Sequence, residues 1–268
     1  MKRRWSVRKI AFVSILIATS VSFVLIFSSV IPIASLPSFK LTLAGLPIKL
    51  TGYIFGPMIG AITGVVTDLI SFIFRPTFIH WSYTLAFMFA GLIPGMIGYV
   101  FNRTWKNNKE NEELFSKKYL MSTTIVTLIM LFSIVAVTTW LVIFKGGDEF
   151  FAKQPIVHNK WLFYIASMAG MITMIIGVPL FRIFLKPKQY NIVMPIIAFS
   201  ILLEIINTPL VSYGDTAVGV FDSKDEFITA LTGHLLISPA KIWFNLLIIS
   251  FAYKVVSPLI YNKTSNGW

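Results

Sequence analysis

Long uncharged apolar runs constrain this chain more than any other feature. The first extends from Ile10 to Phe39 without an ionisable residue. A helix needs about 20 mostly apolar residues to cross a bilayer. In lipid only helices and closed barrels satisfy their own backbone, and these runs are too long and too uniformly apolar for barrel strands. Of the 268 residues, 56% are hydrophobic and 13% charged, whereas a soluble domain carries about a quarter charged. The chain therefore reads as all-α, an integral membrane helical bundle forming a single transmembrane domain over 1–268.

Eight spans are expected, at 10–33, 42–56, 57–75, 80–102, 119–144, 161–185, 192–211 and 236–258. The second and third are joined by Gly56-Pro57, a dipeptide that breaks the helix and reverses it. Of the 23 Lys and Arg residues, 15 fall on the side that holds the N-terminus and 6 on the other. The positive-inside bias then makes both termini cytoplasmic. The same distribution accounts for the net charge of +12 without nucleic acid. The basic start and following apolar run resemble a secretory signal, but the run is too long and ends without a small-x-small cleavage site. It reads as a retained first helix. With no cysteine, and with His80, His158 and His234 far apart, no disulfide, metal site or cofactor is expected.

Four ionisable residues interrupt the apolar spans: Lys49, Asp68, Glu204 and Lys241. A charge in hydrocarbon is expensive and faces a bundle interior or a wet cavity, so it marks a site. From the helical rise, each lies about 8–11 Å below the outer face. Lys40 and Arg75 add charge at the rim. Lys49 and Asp68, on the two arms of a tight hairpin, are expected to form a structural charge pair. Lys241, with Arg75 and Lys40, is expected to hold the anionic end of a ligand, since arginine offers a planar fork and lysine a mobile point charge.

The outer segments add aromatic and amide groups. His80, Trp81 and Tyr83 follow Arg75 closely and suit a lid over a planar ligand. Trp81 by itself also fits an interfacial anchor. Asn207-Thr208-Pro209 is expected to break the outer end of the seventh span, with Tyr213 just beyond. Asn245 lies one turn from Lys241 on the same helix face, and an amide at that depth needs a partner. The chain has no G-x-x-x-x-G-K-[ST] loop, no His-Glu-x-x-His and no linked Ser and His, so neither ATP hydrolysis nor another catalysis is supported. No inverted repeat is evident either.

The block from Phe39 to Pro57, FKLTLAGLPIKLTGYIFGP, and the following MIGAITGVVTDLISFIFRP resemble the substrate-binding (S) components of energy-coupling factor (ECF) vitamin transporters. The likeness is greatest to the folate branch, where an apolar "LP" helix leads to "(Y/F)GP" and a glycine-rich helix carrying an Asp, here Asp68. Asn207-Thr208 is similar to the "LNT" of the penultimate family helix, and Pro239–Ile249 to the last one. Ser14 and Ala18 resemble the small-x-x-x-small face used against the coupling partner; small residues at this spacing let helices approach closely. The resemblance covers 8–103 and 190–258, which makes 119–185 an inserted helical hairpin on a six-helix core. Lys241 stands where the family has Arg, and Phe244 where it has Lys.

The resemblance implies a plasma-membrane subunit that captures a vitamin, folate or a related anion, on the extracellular side. Its partners would be a shared transmembrane coupling protein and two ATPase subunits, with no enzyme activity of its own. Arg75 and Lys241 would hold carboxylate, Asn207 and Asn245 would bond the heterocycle, and His80, Trp81, Tyr83 and Tyr213 would line or cover it. A different class is a stand-alone carrier using Asp68 or Glu204 as a proton relay. A membrane enzyme ranks behind both.

Overall fold

The computed structural model describes residues 7–30, 42–43, 45–74, 80–107, 112–145, 159–219 and 226–261. Nine helices lie among these residues: α1 Val7–Val30, α2 Leu46–Phe55, α3 Pro57–Phe74, α4 Trp81–Asn107, α5 Glu112–Phe144, α6 Lys160–Phe184, α7 Pro187–Ala217, α8 Glu226–Leu236 and α9 Ser238–Tyr261. Seven are long and apolar enough to cross a membrane. Their surfaces follow the pattern lipid demands. Ile62, Ile73, Phe132, Trp140, Ile176 and Phe251 are exposed, while Thr63, Thr67, Glu204, Lys241 and Asn245 are buried. Large apolar side chains displayed on most faces, with charge inside, are stable only against hydrocarbon.

The eight expected spans differ from the observed helices at three places. First, α2 is ten residues long, about 15 Å, half the thickness of a hydrocarbon core. It starts with Pro47 in its first turn and ends at Gly56, whose φ of 103° favours glycine. Pro57 then opens α3, where a missing N–H leaves no intrahelical bond unmade. Second, Asn207-Thr208-Pro209 does not end a helix. α7 runs through Pro195 and Pro209 to Ala217, with Pro209 on an exposed face of the helix. Third, α8 occupies part of what reads as a polar outer segment.

Glycines draw α2, α3 and α4 together. A Cβ on Gly91 of α4 would overlap the carbonyl of Gly60 in α3, and one on Gly52 of α2 would overlap the carbonyl of Gly91. Gly64 meets the Phe87 carbonyl in the same way, and Gly95 the backbone of Pro57. Backbone-on-backbone packing of this kind needs small residues on both sides. It fixes the height of α4 against α2 and so places Ala86, Phe87 and Ala90 opposite Lys49.

The segment 119–185 forms the antiparallel pair α5 and α6, tied by a hydrogen bond between Thr139 and Tyr164 at 3.0 Å. Leu131, Ile134, Met171, Met174 and Val178 from this pair belong to the same buried apolar cluster as Phe199 of α7 and Ile242 of α9. Tyr190 of α7 bonds Thr123 of α5 at 2.9 Å, and the Trp243 indole of α9 donates to Thr173 of α6 at 3.1 Å. The pair therefore shares one core with the helices that carry the site.

Candidate functional site

A recess opens between α2, α4, α7 and α9, holding about 470 Å³ of space with the open solvent at its mouth included. The enclosed part that admits water is about 40 Å³, well below ligand sites, which run from about 300 to 1,000 Å³. Its wall is formed by Thr42 and Lys49, by Ala86, Phe87 and Ala90 of α4, by Leu203, Glu204, Asn207, Thr208 and Val211 of α7, and by Lys241 of α9. Two amines and one carboxylate thus converge from three helices, all buried. The Lys241 ammonium is paired with Glu204, and the same carboxylate accepts from the hydroxyls of Ser238 at 2.7 Å and Thr208 at 3.2 Å. Lys49 donates to Asn245 Oδ1 at 2.9 Å and to the Thr42 carbonyl at 3.4 Å. Buried charges persist only with such partners. The formal balance leaves one positive charge in excess.

Lys49 and Asp68 do not pair, contrary to expectation. Asp68 accepts from Thr84 of α4 at 2.5 Å, while Lys49 turns toward α9. The hairpin between them brings the α2 and α3 backbones into contact through Gly52 and Gly60, but the two side chains leave it in different directions. Lys241 is paired within the chain with Glu204. Asn245 lies on the face expected for it, yet its oxygen serves Lys49, and its Nδ2 has no partner. Asn207 donates to the Ala86 carbonyl at 3.0 Å. Lys40 and Arg75 lie outside the described residues.

The outer aromatic residues lie together. His80, Trp81 and Tyr213 have ring centroids 5.5 to 5.6 Å apart, and Tyr83 sits 6.4 Å from His80. Trp81 and Tyr213 are about half exposed. Trp81 lies six residues from the recess residue Phe87 on α4, and Tyr213 two residues from Val211 on α7. Ser14 and Ala18 are both exposed on α1.

Beneath the aromatic cluster is a polar group that sequence reasoning missed. Asp215, buried, accepts from the Tyr83 hydroxyl at 2.5 Å and lies 2.6 Å from His234 Nε2. These contacts tie α4, α7 and α8. Ser238, one turn beyond His234, also approaches the His234 carbonyl at 3.2 Å, so the group adjoins Glu204. No motif marks it, since its three members are far apart in sequence. The hint was Asp215 itself, an acidic residue in the outer half of a helix that continues through proline. Asp215→Leu should lower the thermal midpoint in detergent by an amount matching about 2–4 kcal/mol, from the buried His234 and the part-buried Tyr83 hydroxyl left without an acceptor. Asp215→Asn should lose less. An unchanged midpoint for the leucine variant would show the group to be inessential.

Comparison with known proteins agrees with these features. The family described as "ECF transporter, substrate-specific component" matches residues 8–185, a stretch that includes α5 and α6 and stops before α7. An "Uncharacterized protein MG098 homolog" of Mycoplasma pneumoniae is 26% identical over 155 residues, covering 55% of this chain and 32% of that protein. The chain thus spans about a third of the length of the curated relative it matches. No solved structure matches it. With two thirds of its length matched by the family and seven apolar helices to cross the membrane, the chain is a multi-pass plasma-membrane protein that belongs to the ECF transporter substrate-specific components.

Proposed function

We propose that this subunit captures a small anionic vitamin, folate or a related molecule, from the extracellular side and releases it inward only in complex with a shared membrane coupling protein and two ATPase subunits. The observation that carries this reading is the convergence of Lys49, Lys241 and Glu204, from helices far apart in sequence, on one recess with a formal excess of positive charge. An anion entering there neutralises the excess at short range and low dielectric, where the attraction is strongest. The aromatic cluster of His80, Trp81 and Tyr213 stands near that recess and suits stacking on a planar ring. The exposed Ser14 and Ala18 leave a small-residue face on α1 for a partner helix. The chain carries no phosphate-cradling loop, which is in keeping with ATP hydrolysis in partner subunits.

Purified protein in lipid nanodiscs should bind folate saturably and with quenched tryptophan emission. Titration across folate derivatives with no change in emission and no heat of binding would remove the vitamin assignment. Proteoliposomes containing this chain alone should show no uptake. Accumulation driven by a proton gradient would instead establish a stand-alone carrier.

A further inference from the structure

Helices α6 and α9 run side by side from the outer to the cytoplasmic side and touch in only part of their length. A Cβ on Gly170 would meet the Pro239 Cβ at 2.8 Å, and a turn lower the Trp243 indole donates to Thr173 at 3.1 Å. Below that level the contact is lost. Gly177, Leu180 and Phe184 continue the Thr173 face of α6, at the three- and four-residue steps that share a helix face. A Cβ on Gly177 would have only Phe181 of its own helix within 4 Å, and Leu180 and Phe184 are 41% and 77% exposed. Leu247, on the Trp243 face of α9, is 64% exposed. The two faces that meet above therefore stand apart toward the cytoplasm, as an apolar cleft that the protein leaves open.

Cations stand at that end. Arg182 of α6 and Lys254 of α9 lie nine and eleven residues beyond Thr173 and Trp243, about 14 and 17 Å by helical rise, and so at nearly one height. Lys186 follows at the turn into α7. All three are exposed, and these segments supply no carboxylate to pair them: no Asp or Glu occurs from Gly170 to Leu203 or from Pro239 to Trp268. The positive-inside bias accounts for cations on this side, but not for their place at the mouth of an apolar cleft. An acyl chain suits a slot that opens to hydrocarbon, and a phosphodiester suits the cations, arginine as a planar fork and lysine as a mobile point charge. We infer that α6 and α9 hold one anionic phospholipid of the cytoplasmic leaflet, its phosphate at Arg182 and Lys254 and one acyl chain along Gly177 and Leu247. The site is separate from the recess and does not depend on the vitamin reading.

Native mass spectrometry of the full chain in neutral detergent tests this with phosphatidylglycerol and phosphatidylcholine of identical acyl chains. Wild-type protein should bind phosphatidylglycerol roughly 5- to 30-fold more tightly, the scale of two cations at an anionic headgroup, and added salt should narrow the gap. Arg182→Gln with Lys254→Gln, both at exposed positions, should abolish the preference. Arg8→Gln with Lys9→Gln removes the same charge from α1, which packs on α2 and α3, and should leave it intact. Gly177→Phe, which fills the cleft and keeps every cation, should weaken phosphatidylglycerol binding by a similar factor. Equal affinity of wild-type protein for the two lipids would overturn the inference. So would a preference that the α1 variant lowers as much as the cleft variant does, since any cytoplasmic charge would then serve. Displacement of the lipid by glycerol 3-phosphate would show that the acyl chain adds nothing, and would overturn the lipid assignment.

Discussion

Gly91→Ala should cost at least about 3 kcal/mol, the upper end of what overpacking a well-filled interior costs, and should lower the yield of folded protein in membranes. The new methyl group would overlap the Gly60 carbonyl, and a backbone atom cannot rotate away as a side chain does. Either α3 and α4 separate or the helices slide, and both move Phe87 and Ala90 out of the recess wall. Gly60→Ala should act on the same contact, so the double variant should cost clearly less than the sum of the two. Gly177 of α6 provides the contrast. Its nearest neighbours beyond its own turn are Phe181 ring atoms at 3.7 Å and beyond, so Gly177→Ala should be neutral or gain up to about 1 kcal/mol from helix propensity. Thermal unfolding in detergent, read by size-exclusion recovery, separates the two classes. Similar behaviour of Gly91→Ala and Gly177→Ala would mean that the three helices do not meet through their backbones.

The second large effect is expected at Lys241. Lys241→Ala leaves the Glu204 carboxylate buried with only two hydroxyl donors, at a cost of about 3–5 kcal/mol in stability. Ligand binding should weaken by about 2–5 kcal/mol as the charge excess disappears. The double variant Lys241→Met with Glu204→Leu removes both charges together. Replacing a buried pair by apolar groups of similar volume is often neutral, so the double variant should recover most of the stability and none of the binding. Recovery of both would show that neither residue meets the ligand. A Lys241→Ala protein with unaltered melting would contradict the ion pair itself.

Much of this molecule is legible from composition and spacing. The apolar runs require membrane helices, and the Gly56-Pro57 break, the aromatic cluster at residues 80–83 and the converging charges of Lys49, Glu204 and Lys241 all follow from residue types at given positions. What spacing did not supply is which side chain faces which. Lys49 and Asp68 are neighbours along a hairpin, but pairing depends on the rotation of each helix about its axis, and α2 turns its lysine to α9. Pro209 was a fair sign of a helix end, yet α7 continues through it to Ala217. Asp215 and His234 were invisible as a pair because 19 residues and a helix break separate them.

Chemistry written along the chain determined the solvent, the secondary structure and the kind of site, because backbone hydrogen bonds and buried charges have few solutions in hydrocarbon. Tertiary structure alone decided the partners. Glycine contacts between α2, α3 and α4 set the heights of those helices, and the packing of α9 on α7 gathers Lys241 and Ser238 on one oxygen of Glu204.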